Sequence, residues 1–262
     1  MSGYTVAIPS RQRSGLLTQC TLPVLVAGGV DPARIHVWVL HEERAEYEAA
    51  VGKHFPQVSV MGHGGISGLR GARNVLQAQY PRGTRLVQAD DDIRAVERRV
   101  SERVLAPVRN LDALITGAFD YADQQDVSLW GVYPARNAFF MADRAHLGLR
   151  HIVGTFWGMT LRHDPTEVLN FDEKEDYERT IRHFLRDGAV LRLDNVTLKT
   201  RFYTEPGGMQ VYRDATYQDD GTRRLVAQWP DLLTYRRSAA KGTAEVTLKR
   251  LPGLHLPPLP VN

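Results

Sequence analysis

Four times in the first ninety residues a short apolar, largely β-branched run stops at a proline, glycine or acid: YTVAIPS, RIHVWVLHEE, QVSVMG and TRLVQA. Between them lie Leu16 to Ala27, AEYEAAVGK and GARNVLQAQY, which carry apolar residues at helical spacing. Strands that alternate with helices of about ten residues predict an α/β fold, a mostly parallel Rossmann-like sheet with helices on both faces. In such a sheet, ligands gather at the carboxyl ends of the strands. Pro9-Ser10-Arg11, His41-Glu42-Glu43, Gly62-His63-Gly64-Gly65 and Asp90-Asp91-Asp92 occupy those ends and are expected to line one crevice.

The last of these ends poses an electrostatic problem. Three adjacent carboxylates repel one another, and at the end of a buried strand they also lose hydration. A divalent cation is the simplest compensation. A solvated acidic turn, helped by the affinity of Asp for its own backbone, is the other reading of the same residues.

After Ile93 the alternation loosens. APVRNLDALITGAFDYADQQ reads as helix, VSLWGVYPA and NAFFMAD as strands, and HIVGTFWGMTLRHD as a strand broken by glycine. FDEKEDYERTIRHFLRDG is an amphipathic helix with acids in its first turn and Gly188 as its stop. AVLRLDNVTLKTRFY is expected to form a strand pair, followed by a glycine loop, a helix ending before Pro230 and a strand AEVTLKRL. At 262 residues one domain over 1–262 is expected, made of a regular half, 1–97, and a less regular half with a C-terminal extension, 98–262.

Several classes of chemistry lack support. Cys20 is the sole cysteine, which excludes an intrachain disulfide or a cysteine-based zinc site and fits a reducing cytoplasm. The amino terminus has no signal-peptide profile and no apolar run reaches eighteen residues, so a soluble, cytoplasmic protein without membrane contact is expected. No phosphate-loop motif occurs, and in G-H-G-G-I-S-G Ser67 stands where a dinucleotide fingerprint needs its last glycine. No G-x-S-x-G is present. A net charge of +3 permits an anionic ligand without proving one. What remains is Asp90-x-Asp92 opposite two basic segments, Arg11 with Arg13 and Arg70 with Arg73. Carboxylates holding Mg²⁺ or Mn²⁺ beside arginines are suited to a nucleoside diphosphate and its departing charge.

In these pieces, over roughly its first two hundred residues, the chain resembles GT-A fold nucleotide-sugar glycosyltransferases. They are the AIPSRQR strand and loop, GLRGARN before a helix, the strand ending in D-x-D, and EKEDYERTIRHFLRDG. The resemblance implies that Pro9, Ser10, Arg11, Arg13, Arg70, Arg73 and Asn74 contact the nucleotide, and that Asp90 and Asp92 hold the metal and the sugar diphosphate. Asp91, counted with the donor-binding residues, is expected to point elsewhere than Asp90 and Asp92 and to be the more replaceable. It further implies that Glu175 and Asp176, with Asp176 preferred, supply the general base for the acceptor hydroxyl; first-turn stabilisation of the helix is the competing role for these acids. His151, His163 and His255 are open choices for a third metal ligand, and His183 and Phe184 read as packing residues.

A narrower similarity is to phage-type glucosyltransferases of hydroxymethylated pyrimidines in DNA, through IPSRQR, Arg73-Asn74, Asp90-Asp91-Asp92-Ile93 and Tyr203 to Gln210. It implies glucose from UDP-glucose as donor and modified DNA as acceptor. Trp157, Tyr203, Gly207 and Gly208 would hold an extruded base, and Arg236, Arg237, Lys241, Lys249 and Arg250 would contact phosphate. A polysaccharide or small-molecule acceptor, sugar-phosphate nucleotidyl transfer and a non-catalytic binding module remain open beside it.

Overall fold

The computed structural model describes residues 3–64, 68–200, 215–237 and 244–260. The expected alternation is there. β1 (Tyr4–Pro9), β2 (Ile35–Leu40), β3 (Ser59–His63) and β4 (Arg85–Ala89) are interleaved with α1 (Ser14–Gln19), α2 (Thr21–Ala27), α3 (Arg44–Gly52) and α4 (Gly68–Ala78). The helix expected from Leu16 begins earlier and breaks at Cys20, whose ψ is −81°. Pro23 accounts for the break: it has no N–H to give, and its ring crowds the carbonyl four residues back.

The remaining elements are β5 (Ala95–Ser101), β6 (Val104–Pro107), α5 (Leu111–Gln124), β7 (Leu129–Val132), β8 (Ala145–Gly148), β9 (Phe156–Thr160), α6 (Glu175–Asp187), β10 (Val190–Leu193), β11 (Val196–Lys199), α7 (Ala215–Gln228), β12 (Leu233–Arg237), β13 (Ala244–Leu248) and β14 (Leu254–Leu256). Nine strands form the main sheet in the order β14-β8-β10-β7-β9-β4-β1-β2-β3. Only β8 and β9 run against the other seven. This is a mixed α/β sheet, mostly parallel in direction, with helices on both faces.

The second half departs from the sequence expectation in three places. Ala106 and Pro107 end strand β6 of a hairpin, and α5 starts only at Leu111, where the Asn110 side chain accepts from Ala113 N at 2.9 Å. The run expected to be a strand at NAFFMAD is a turn, which leaves Phe139 and Phe140 exposed, and the strand comes later, at β8. β10 and β11 do not pair with each other: the Asp194-Asn195 turn carries the chain from the main sheet into a small sheet ordered β11-β5-β6.

Side-chain alternation divides the sheet into two apolar layers. Val6, Ile8, Val37, Val87, Trp130 and Leu191 face one core under α1, α2, α3 and α5; Ala7, Trp38, Leu86, Leu129, Trp157 and Met159 face another with Leu76 of α4 and Phe184 of α6. A third cluster, with Leu149, Ile181, Leu225, Leu233 and Val246, fastens α7 and the β12–β13 hairpin to α6. Cys20 is buried, and among the described residues no helix is long and apolar enough to cross a membrane.

Candidate active site

The loops after β1, β2 and β4 converge as expected. Ser10 Oγ donates to Asp91 Oδ2 at 2.6 Å and lies 2.8 Å from the Tyr47 hydroxyl of α3, which also accepts from Arg13 N. Arg13 approaches Asp91 at 3.4 Å, and Arg11 approaches Glu43 at 3.9 Å. Asp91 is thus the buried tie between the first loop and the end of β4, at 5% exposure. This overturns its expected status as the replaceable acid of the three: its oxygens face Ser10 and Arg13, and its loss would leave them without that partner.

Asp90 and Asp92 stand in the turn after β4, which Thr21 staples by donating to Asp90 O and accepting from Ile93 N. Burial, then the opposing effects of Arg73 and the neighbouring acids, leaves the Asp90 carboxyl raised to about 7. Burial and Asp91 raise Asp92 to about 6. A third of the Asp90 side chain, 33%, is still open to solvent, so an ion can reach it. Two hard carboxylate oxygen donors, only partly offset by Arg73, fit a Mg²⁺ or Mn²⁺ ion that completes its shell with phosphate and water. They do not fit an all-protein metal cage, because among the described residues no group of three or more His, Cys, Asp or Glu side chains is placed to hold a metal.

Arg73 is not an exposed nucleotide contact. It is fully buried, donating to Gln88 Oε1 at 2.8 Å, Gly154 O at 2.9 Å and Asp90 Oδ1 at 3.2 Å, with Glu175 Oε1 at 3.6 Å. One guanidinium therefore joins the end of β4 to the start of α6. Asn74 is likewise committed to structure, since its amide makes both bonds to the backbone of Leu169. Arg70 holds Asn170 O and Asp172. It lines a cavity of about 290 Å³ with Glu173, Asp220 and Arg224. A larger groove of about 890 Å³ around Gly28, Arg98 and Arg109 contains none of the site acids.

The first turn of α6 brings Glu175 and Asp176 to the same place. Gly154 is the point of closest approach: a Cβ there would lie 3.0 Å from Glu175 Oε1, 3.5 Å from Arg73 Nη2 and 3.6 Å from Asp176 Cβ. His151 Nε2 donates to Asp176 Oδ2 at 2.9 Å while its ring stacks on Tyr177 with centroids 4.0 Å apart. Burial raises the Asp176 pKa, but His151, Arg179 and Lys174 reverse this and hold it well below the ordinary carboxylate range. Asp176 is accordingly ionised at neutral pH, as a proton acceptor must be.

Of the three histidines considered for a metal, His151 is thus engaged with Asp176, His163 with Tyr80 O at 2.7 Å, and His255 with His146 at 3.2 Å. His183 is buried beside Ser128, as its packing role requires, and burial lowers it to about 3. Trp157 cannot serve as an acceptor platform as it stands: it is fully buried, with Arg179 3.9 Å from the ring centroid and Arg73 5.8 Å. Tyr203, Gly207, Gly208 and Lys241 lie outside the described residues. Arg236, Arg237, Lys249 and Arg250 are exposed on or beside the β12–β13 hairpin, with the Lys249 ammonium on Pro230 O.

No protein-family model matches the chain, and no curated protein sequence matches it. Among solved structures it superposes on S. aureus TarS with a TM-score of 0.51 at 13% identity, over 85% of this chain and 39% of that one. TarS 1-349 gives a TM-score of 0.49 at 13% identity over 74% and 59%. A mannose-6-phosphate isomerase from Helicobacter pylori gives 0.37 at 10% identity over 93% and 86%, too low to argue from. The chain therefore spans 39% of the length of TarS. The superposition on TarS shows the fold alone, a mixed α/β arrangement around a mostly parallel sheet.

Proposed function

We propose that the protein is a glycosyltransferase that moves a hexose from a nucleotide sugar to an acceptor hydroxyl. The observation that carries this reading is Arg73, one buried guanidinium spanning the D-x-D acid Asp90 and Glu175, the residue next to Asp176. A donor site and a base site are thereby joined within one charge network, which a merely solvated acidic turn would not require.

In this reading Asp176 takes the proton as the acceptor oxygen attacks the anomeric carbon, and inversion follows from a single such displacement. The new C–O bond forms as the bond to the diphosphate breaks, and the nucleoside diphosphate leaves with the electron pair. His151 and the Tyr177 N–H hold the two Asp176 oxygens in place. Asp90 and Asp92 would hold a Mg²⁺ or Mn²⁺ ion, which offsets the charge of the leaving diphosphate. Arg11 and Arg13 sit on the loop that faces the nucleotide. The preferred donor is UDP-glucose and the preferred acceptor a hydroxymethylated pyrimidine in DNA.

Mass spectrometry of hydroxymethylcytosine and hydroxymethyluracil DNA, incubated with UDP-sugars and Mn²⁺, tests this directly. An added hexose is expected. No hexose on DNA, but transfer to a glycan or small molecule, would move the acceptor; pyrophosphate release from a nucleoside triphosphate and a sugar phosphate would replace transfer by nucleotidylation.

A further inference from the structure

The groove of about 890 Å³ lies apart from the site acids, and its two arginines have no part in glycosyl transfer. It forms where the end of α2, the start of α5 and the β5–β6 hairpin meet. Gly28 O accepts from Leu111 N at 2.7 Å and from Asp112 N at 3.3 Å, and a Cβ on Gly28 would lie 2.5 Å from Leu111 Cγ. A side chain there would drive the two helices apart, so the glycine fixes the groove as part of the fold.

Arg98 sits oddly for a residue that only supports the fold. In the small sheet it stands directly opposite Val196 of β11 and Ala106 of β6, and two residues back Val96 stands opposite Leu198. Residues opposite one another, or two apart along a strand, share a face. Val96, Val196 and Leu198 are buried in one core with Leu25 of α2 and Leu111 of α5. Arg98 is the one cation among these sheet residues; it is half-buried and turns from the apolar face into the groove. A guanidinium so placed gives up hydration and requires a partner.

Among the described residues neither Arg98 nor Arg109 has an ion-pair or side-chain hydrogen-bond partner. Asp112, the acid that lines the groove, is engaged elsewhere, accepting from Tyr4 Oη at 2.8 Å and lying 3.5 Å from Arg34 Nη1. The first N–H groups of α5 are taken too, by Gly28 O and by Asn110 Oδ1. What the groove offers is therefore two guanidinium forks, and their match is an oxyanion held by paired, charge-assisted hydrogen bonds. Its volume falls within the range of small-molecule sites, about 300–1,000 Å³, and leaves room for more than one such group.

We propose that Arg98 and Arg109 form a binding site for a small polyanion, a ligand that carries two or more phosphate or carboxylate groups. The site lies at the far end of the sheet from the three aspartates. Tyr4, at the amino end of β1, touches Asp112, while Ser10, just past its carboxyl end, touches Asp91, and the six-residue strand separates them by about 20 Å. Occupancy here is independent of the glycosyl-transfer reading.

Calorimetric titration of the full chain with pyrophosphate, citrate and inorganic phosphate, in metal-free buffer at low salt, tests the proposal. Pyrophosphate or citrate should bind more tightly than phosphate, and the tighter of the two says whether the ligand bears phosphates or carboxylates. Arg98→Gln/Arg109→Gln should bind about tenfold or more weakly, as the loss of charge-assisted bonds requires, while Arg11→Gln in the crevice loop binds as wild type. Pyrophosphate should raise the melting temperature of the wild type and not that of the double variant. Arg109→Gln alone, at an exposed position, should keep the wild-type fold and still lose affinity several-fold. No binding of either polyanion, phosphate binding as tightly as both, or affinity unchanged in the double variant would each overturn the proposal. So would a loss in Arg11→Gln instead, which would place the anion in the crevice.

Discussion

Asp90, Asp91 and Asp92 divide their work by what each oxygen meets. Asp91 meets Ser10 and Arg13, so Asp91→Asn should cost about 1–3 kcal/mol in urea unfolding and also loosen the first loop. Asp90 and Asp92 have folded-state pKa values of about 7 and 6, above the ordinary 3.8. The native state therefore binds these protons more tightly than the unfolded chain does. The stability they contribute is complete below about pH 4 and is lost as pH rises through 6 to 7. Asp90→Asn should accordingly melt higher than wild type at pH 8, with the gain vanishing near pH 4 in thermal scans. Mn²⁺ affinity, followed by calorimetry, should rise through the same window and be lost in Asp90→Asn and Asp92→Asn. For Asp176→Asn, kcat should fall about 100-fold or more with donor KM nearly unchanged; equal turnover would remove Asp176 as the base. Local spacing made the three aspartates and the Glu175-Asp176 pair legible. His151 was one of several histidines, and nothing near it in sequence pointed to Asp176, twenty-five residues on.

At the level of elements, α6 is the part on which the site depends. Lys174 precedes it in a left-handed conformation, φ 61°, with no side-chain cap, and the helix is held instead at both ends by side chains. Glu178 accepts from the N–H groups of Asn170 and Phe171, and at the far end Asp187 and Arg186 engage Ser128. These bonds fix where Glu175 and Asp176 point. Gly154→Ala would place a methyl against Glu175 and Arg73, an overpacking that should cost about 1–3 kcal/mol and lower activity further than stability alone explains. Comparing urea midpoints with kcat/KM decides this, since equal losses in both would make Gly154 a packing glycine only. Helix α6 was plain in its own periodicity, as was the β4 strand. The β5–β6 hairpin was not, because ERRVSERVLAP has neither an Asn-Gly turn nor clean alternation, and β8 is only four residues long. Gly154 gave no signal either: its need is set by atoms from two distant segments, α4 and the start of α6.

For the whole molecule, the first four strands were readable because each carries its own apolar run and its own stop. The half after Ile93 was not, because its strands are short and pair out of order; β10 lies between β7 and β8 while β11 leaves for another sheet. The tail closes the structure in the same way. β14 covers the edge of β8, Tyr121 Oη donates to Pro257 O, and Asn195 Nδ2 to Leu259 O. Removing residues 251–262 should lower the melting temperature and promote association through the bared β8 edge, measured by scanning calorimetry and light scattering; unchanged melting and scattering would show that β14 is dispensable. A related exposure is built into synthesis. The strand β4, which delivers the aspartates, is covered on one side by β1, already made, and on the other by β9, which ends 71 residues later at Thr160. At about 5–20 residues per second, a nascent chain leaves that side of β4 bare for about 4–14 s, so the strand that ends in the three aspartates is also the edge a ribosome-bound intermediate must keep from pairing with a neighbour.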